Sequence, residues 1–456
     1  MEDNSSPRTL HFGLDKIKGA KSIMKIKQLR PYLLFWSTQA FSALGSGMTS
    51  YALVLWIYLH SGSALGTALL SVCSYAPYVV MSIFAGALSD RWNKKQTMLV
   101  CDLLAALSTV IVFVLIRAGT LNVWHLYVLN AINGLMSTIQ QPASEVAATL
   151  LIPKDYYQRT SGLRSFSQSL NSILTPVLAT ALFAFGGIDS VIAVDLLTFA
   201  FAFVTLLLFI QIPENDTLEQ ESEKLLTAAR KGVEWLRNNP LILTLILYLA
   251  SINLVASVYN AAVPAMLLSK QSGDETVLGI VNMCVGISTL AGSVLVTILP
   301  VPKNRVKVIS LTLLLSMSSE NFFLAFGKTP IIWCIGAVLG WLFIPLMNAN
   351  MDVIFRSSIP FDMQGRVYSC RNTLQFFTIP IGFLLGGMFV DDVFEPLMTA
   401  QPANSLLVSL FGENKGSGAA MLFFVIGIAG VLVCLIFNFK LQKYKWSEES
   451  VQDKRT

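Results

Sequence analysis

Charged residues are scarce in this chain: only 13% of its 456 residues are Asp, Glu, Lys or Arg, whereas 54% are hydrophobic. Soluble domains carry about 25% charged residues, so this composition excludes an ordinary globular protein. Apolar runs of 18 residues or more recur along the chain, and each can cross a hydrocarbon core of about 30 Å as a helix. We therefore predict an all-α integral membrane protein.

Histidine and cysteine are also few and scattered. The histidines, His11, His60 and His125, lie far apart, and the six cysteines include no CxxC pair. This distribution indicates neither a zinc site nor a disulfide framework. The HExxH and GxSxG motifs are missing from the sequence as well. We therefore predict a protein that is not an enzyme and that needs no metal and no cofactor.

The apolar runs predict twelve membrane-spanning helices. All but four of the 32 Lys and Arg residues fall in segments that are cytoplasmic if the amino terminus is inside, which places both chain ends in the cytoplasm. The bases are spread over seven short segments, so the net charge of +5 reflects topology and does not indicate a nucleic-acid partner. The predicted spans are 31 to 59, 65 to 89, 98 to 117, 122 to 148, 161 to 186, 188 to 211, 241 to 268, 277 to 300, 308 to 326, 330 to 354, 369 to 390 and 418 to 438.

A single long polar interval, residues 213–240, divides six spans from six. Apolar residues recur in it at helical spacing from Leu225 to Leu236, which predicts an amphipathic helix against the inner membrane face. The lysine-rich first 30 residues are either an interfacial helix or a disordered tail. The predicted organisation is a cytoplasmic tail (1–30), a six-helix bundle (31–212), the linker (213–240), a second six-helix bundle (241–438) and a cytoplasmic tail (439–456).

The two bundles carry a sequence repeat. Residues 145–168 match residues 352–375 at a constant offset, so the halves are interpreted as duplicated copies. Parallel six-span repeats are how one transporter class builds a central site that opens alternately to either side. The repeated charges are interpreted as reversible ion pairs on the cytoplasmic side, with plain helix capping as the alternative. The repeated positions are Glu145 and Asp352, Asp155 and Asp362, Arg159 and Arg366, and Arg164 and Arg371.

The stretch GALSDRWNKK, residues 86–95, resembles the signature loop of the major facilitator superfamily. Asn93 stands where that signature usually has a second glycine, and the matching residues are Gly86, Leu88, Asp90, Arg91, Lys94 and Lys95. The resemblance implies two six-helix bundles related by a pseudo-twofold axis, which is the major facilitator fold, and a transporter that works by alternating access.

The same resemblance implies a gating role for the signature loop. Asp90 is expected to meet the amino end of span 11 near Cys370, where exposed N–H groups favour a negative charge. Arg91 is expected to pair with Glu145 at the end of span 4. Loss of either contact is expected to favour the inward-open state.

Further motifs look like the macrolide-efflux branch of bacterial drug exporters. This branch implies efflux of bulky amphipathic compounds through a bacterial plasma membrane. We predict a monomer that contacts lipid and is driven by the proton gradient, with sodium as the alternative. The GPxxGG motif of the proton-driven drug antiporters is missing, since span 5 has only Thr175-Pro176. The motifs are Trp36, Gln39 and Ser42, then Ser61-Gly62-Ser63-Ala64, Pro77, Asp102, Gln141-Pro142-Ala143, Asp195, Asn260-Ala261 and Pro264.

Two kinds of residue inside the spans are candidate site residues. A charge in the bilayer costs ~2.5 kcal/mol or more, so Asp195 and Glu320 are predicted to bind a proton or a cationic substrate, with a structural acid as the alternative for each. Amides and hydroxyls in spans 1, 4, 7 and 10 suit an amphipathic ligand, although they can also join helices. These substrate-binding candidates are Gln39, Ser46, Asn130, Asn133, Gln140, Asn253, Tyr259, Asn260, Asn348 and Asn350.

Two rival functions stay open. One is a flippase of the same fold that moves lysophospholipids or other lipids. The other is a membrane receptor or scaffold that transports nothing. The repeated charges speak against the scaffold, because a fixed structure has no need for reversible ion pairs.

Overall fold

The computed structural model describes residues 8–152, 157–213, 225–270, 273–300, 302–360 and 363–444, although not every side chain within them. Every long regular element in these ranges is a helix. In chain order they are α1 (Arg8–Ser61), α2 (Ala64–Arg91), α3 (Lys94–Arg117), α4 (Val123–Leu151), α5 (Tyr157–Leu208), α6 (Leu225–Asn238), α7 (Pro240–Ser269), α8 (Glu275–Ile298), α9 (Arg305–Phe326), α10 (Pro330–Trp341), α11 (Ile344–Ser358), α12 (Gln364–Phe376), α13 (Thr378–Met388), a π-helical segment (Phe389–Phe394), α14 (Glu395–Thr399), α15 (Leu406–Phe411) and α16 (Ser417–Leu441).

Among the described residues, ten helical stretches are long and apolar enough to cross a membrane, against twelve predicted spans. One of them, Phe166–Leu208, covers predicted spans 5 and 6 together. Helix α5 leaves helical geometry between them, at Gly186 and Gly187, and Gly187 has a φ of +64°, which glycine adopts readily. Predicted span 4 is the helix α4, whose amides and acid lower its mean hydropathy. The union of predicted spans 5 and 6 in one stretch and the lower hydropathy of α4 thus explain why ten stretches correspond to twelve predicted spans.

Helix α1 begins well before the predicted first span. It runs from Arg8 to Ser61 and includes Pro31 inside the helix. From residue 8 onward, the predicted amino-terminal tail is therefore a helical continuation of span 1.

The helices form two groups, which contact each other mainly through two pairs of helices. In the amino-terminal half, α1 packs on α5, and α4 packs on both α2 and α3. In the carboxyl-terminal half, α7 packs on α13 and α16, and α9 packs on α10 and α16. Helix α2 contacts α13 and helix α5 contacts α8, so spans of both halves form the interface between them.

The amphipathic linker helix is α6, and it packs on the start of span 11. A Cβ atom at Gly232 would lie 2.8 Å from the Arg366 carbonyl oxygen and 2.8 Å from the Cys370 sulfur, so glycine permits this close approach. Leu236 is buried, whereas Val233 is exposed. The linker therefore lies at the amino end of α12. The resemblance implies that Asp90 meets the same helix end.

Candidate functional site

A cavity of about 420 Å³ lies between the two halves. We call it the inter-half cavity. The part of the chain that the structure describes contributes aromatic, aliphatic, amide and hydroxyl side chains to its wall, and no Lys, Arg, Asp or Glu. Such a wall suits an amphipathic ligand better than a phosphate or a sugar acid. Its aromatic and amide members are Tyr51, Tyr75, Tyr259, Asn260, Asn282, Trp341 and Phe383.

The carboxylate of Glu320 lies directly behind this wall. Its side chain is 4% exposed, and Trp341 donates its Nε1–H to Glu320 Oε1 at 2.7 Å. The Tyr259 hydroxyl is within hydrogen-bonding reach of the same carboxylate. Gly340 leaves the space that Glu320 fills, since a Cβ there would lie 2.6 Å from Glu320 Cβ. The predicted acid of span 9 is therefore linked to the inter-half cavity through two of its wall residues.

A second cavity, of about 400 Å³, lies inside the amino-terminal half. We call it the N-half cavity, and helices α1 to α5 line it. Two carboxylates face it. Gln140 donates its Nε2–H to Asp102 Oδ1 at 2.6 Å, and Ser46 donates its hydroxyl to Asp195 Oδ1 at 3.1 Å. Gln140 and Ser46 are both neutral, and no Lys or Arg occurs among the described lining residues.

Asp102 was not predicted as a site residue, although the signal was present. It lies inside predicted span 3, so it meets the same criterion of an acid within the bilayer that selected Asp195. The contact with Gln140 joins α3 to α4 across 38 residues of sequence. Helical periodicity gives no information about such a pairing.

The ten predicted substrate-binding residues fall into three groups. Five line the N-half cavity, and among them Gln39 Nε2 and Asn133 Oδ1 are buried with no hydrogen-bond partner. Tyr259 and Asn260 line the inter-half cavity, while the other three line neither. Of these three, Asn253 donates to the Gln375 carbonyl, Asn350 accepts from Arg305, and Asn348 is exposed. The five in the first group are Gln39, Ser46, Asn130, Asn133 and Gln140.

Comparison with known proteins decides the family of this helical assembly. Residues 35–299 match the Major Facilitator Superfamily. The chain belongs to this superfamily. It is 23% identical over 366 residues to macrolide efflux protein A of Streptococcus pyogenes. This match covers 79% of this chain and 90% of that protein. It is 24% identical over 380 residues to the multidrug efflux pump Tap of Mycolicibacterium fortuitum, covering 79% and 89%.

The fold of this superfamily member also resembles solved structures. A variant of the nucleoside transporter NupG superposes with a TM-score of 0.66 at 15% identity, covering 90% of this chain and 99% of that one. At that identity the likeness concerns the fold alone. The chain is therefore a multi-pass membrane transporter with relatives named as macrolide and multidrug efflux proteins.

In this superfamily member, the residues after α2 have structural roles. Asn93, which replaces the second glycine of the signature, caps α3 by accepting from the Gln96 N–H at 3.0 Å. Its φ is −60°, so the position does not require glycine. Lys95 donates to the carbonyls of Leu207 and Ile210, at 2.9 and 2.8 Å. A cation there satisfies carbonyls at the carboxyl end of α5.

The other predicted gating residues are described only in part. Gly86, Asp90 and Arg91 lie in α2, and Arg159 lies in α5, but the side chains of Asp90, Arg91 and Arg159 are outside the described set. Asp155 and Asp362 lie outside the described residues altogether. Among the remaining four, Glu145 and Asp352 are exposed, and Arg366 is half-buried. Lys94 donates to the Trp92 carbonyl at 3.0 Å. The inner ion pairs stay a prediction.

Proposed function

We propose that this chain exports bulky amphipathic compounds, such as macrolides or other drugs, by alternating access. The observation that carries the proposal is the inter-half cavity, because its wall is built from both halves and is aromatic and uncharged in its described part. A site formed between two halves changes its access when the halves rock against each other. The names of the relatives support efflux of this ligand class.

The proton gradient is the proposed energy source. A carboxylate in a desolvated site can change charge as its access to either side alternates. Glu320 contacts the wall of the inter-half cavity through Trp341, and Asp195 faces the N-half cavity. On the cytoplasmic side, Asp90 would hold the halves together in the closed state through the amino end of α12, and Arg91 would pair with Glu145 within the amino-terminal half. The basic residues of the inner segments support cytoplasmic chain ends.

Transport by the purified protein in proteoliposomes tests this function. A macrolide, tetraphenylphosphonium and a lysophospholipid are offered separately under an imposed pH gradient, and then under a sodium gradient. We expect transport of the first two, lost when the pH gradient is collapsed. Transport of the lysophospholipid alone would favour the flippase, and transport of none of the three would contradict the proposal.

A matched pair of variants tests the site itself. Phe383 lines the inter-half cavity, whereas Phe185 is 92% exposed on the surface of the same chain. Aromatic contacts contribute ~0.5–1.5 kcal/mol beyond burial, so Phe383→Leu should weaken ligand binding roughly 2- to 13-fold. Phe185→Leu should leave binding unchanged. Equal affinities of the two variants would place the ligand elsewhere.

A further inference from the structure

Asp391 of the carboxyl-terminal half caps the amino end of α2 in the other half. It lies in the π-helical segment that follows α13. The Ser63 hydroxyl donates to Asp391 Oδ2 at 2.6 Å, the Ala64 N–H donates to Oδ1 at 3.0 Å, and the Leu65 N–H donates to Oδ2 at 2.8 Å. All three donors belong to the other half, so the carboxylate bridges the interface with both of its oxygens.

This contact satisfies a specific need of α2. The first N–H groups of a helix have no partner inside the helix, and the amino end carries a partial positive charge. Ser63 accepts from the Gly66 N–H at 2.9 Å and so supplies one local cap. Ala64 and Leu65 instead bind a carboxylate more than 300 residues away in sequence. Hydrogen bonds to a charged acceptor are about twice as strong as neutral ones.

Close backbone packing brings the two helices within reach. A Cβ atom at Gly387 would lie 2.6 Å from Leu65 Cα and 3.0 Å from Ala68 Cβ, so α13 approaches α2 here because this residue has no side chain. The π-helical turn comes directly after this point of contact, and such turns are frequent at functional sites. The next acid, Asp392, is exposed. It therefore offers a control of the same type, one residue away.

Two neighbouring contacts join the halves on the same membrane side. The Tyr58 hydroxyl donates to the Ala265 carbonyl at 3.0 Å, and Lys415 donates to the Gly62 carbonyl at 3.1 Å. Together with the Asp391 cap, these contacts form a band that we call the outer seam. The distribution of basic residues assigns this side of the membrane to the outside.

We propose that Asp391 is a positioning residue that holds the outer side of the transporter closed, by capping α2 from the opposite half. The proposal rests on the alternating-access function. Opening the outer side would withdraw the carboxylate from Ala64 and Leu65, and closing it would restore the cap. A cap made of hydrogen bonds and charge suits this role, because water can replace each contact when the halves separate.

The outer cap has a predicted inner counterpart. Spans 2 and 11 contact each other, and each has an aspartate near its carboxyl end: Asp90 in α2 and Asp391 after α13. Asp90 is predicted to meet the amino end of α12, so each span would cap the other, on opposite membrane sides. One turnover would then exchange one carboxylate cap for the other.

Distance measurement between the halves tests the proposal. Spin labels on non-canonical amino acids at Thr120 and Asn404, exposed outer residues of the two halves, report the outer separation without changing the native cysteines. The full-length protein is measured in lipid nanodiscs, with no substrate and no gradient. We expect Asp391→Asn to lower the ratio of closed to open molecules roughly tenfold, because a charged acceptor becomes neutral. The matched control, Asp392→Asn, should leave the ratio unchanged.

Two results would overturn the proposal: a ratio for Asp391→Asn within about twofold of the wild-type ratio, or an equal shift for Asp392→Asn. If Asp391→Asn does not fold, Ser63→Ala decides the question, because it removes one donor and keeps the acid. It should shift the ratio in the same direction by a smaller factor, and no shift would contradict the proposal. Since no substrate is present, failure of the cap is distinguishable from failure of the export function.

Discussion

The two halves of this transporter fill their interiors differently. The amino-terminal half encloses a polar cavity of about 400 Å³ with two carboxylates in its wall, Asp102 and Asp195. The carboxyl-terminal half has many large buried side chains, including Trp333, Tyr248 and Phe423, and Glu320 is buried in the same half. The described cavity of the carboxyl-terminal half, about 440 Å³, instead lies between α9 and α16, and its lining includes no Asp or Glu. The comparison predicts that Asp195, which faces a cavity, has a larger part in proton coupling than the buried Glu320.

Removal of the Asp195 charge from the N-half cavity should have the largest effect on transport. Asp195→Asn keeps the shape of the side chain but cannot release a proton, so we expect export driven by a pH gradient to be abolished. The assay is proteoliposome transport with and without the gradient. Downhill exchange of ligand should persist, because the inter-half cavity is unchanged. The control is Asp189→Asn, an acid of the same helix near the outer surface. Full coupled export by Asp195→Asn would contradict a coupling role for Asp195.

Most of the architecture could be predicted from the sequence, because span length and charge bias are local properties. The apolar runs located the membrane helices, and the polar interval located α6. The difference between the two interiors could not be predicted. Periodicity shows which face of a helix is apolar, but not which neighbour it meets. Asp391 and Ser63 are 328 positions apart, so their contact follows only from the packing of α13 on α2.

Loss of a core side chain from the packed half should have the next largest effect. Trp333 is fully buried, and its Nε1–H donates to the Gly327 carbonyl at 3.0 Å. Trp333→Ala should lower the free energy of unfolding by ~3–5 kcal/mol, since it leaves a cavity and an unpaired carbonyl. The apparent Tm of the purified protein measures this loss. Trp124, which is 58% exposed, is the control, and an equal loss for Trp124→Ala would argue against a close-packed carboxyl-terminal half.

Lys270, on the outer side of the carboxyl-terminal half, should have a weaker effect on stability, and this effect should depend on pH. Lys270 follows α7 and donates to the Phe411 carbonyl at 3.1 Å. Burial lowers the pKa of Lys270 to about 8, the charge of Lys328 acts in the same direction, and Glu395 opposes both. Between pH 8 and about 10.4, the unfolded chain therefore holds more protons than the folded one, so stability should rise with pH in that window. Lys270→Met should reduce this rise in apparent Tm, and a wild-type profile that is flat there would contradict the assignment.

Loss of the ion pair between Arg117 and Asp189, on the outer side of the amino-terminal half, should give the smallest effect. Arg117 and Asp189 form an ion pair at 3.0 Å between α3 and α5, and the Arg117 side chain is 65% exposed. Exposed pairs contribute ~0–1 kcal/mol, because water and salt screen them. A double-mutant cycle of Arg117→Ala and Asp189→Ala, read as apparent Tm, should give a coupling within that range that falls in 1 M salt. A coupling well above it would mean that this pair stabilises the rim around the N-half cavity as strongly as buried contacts do.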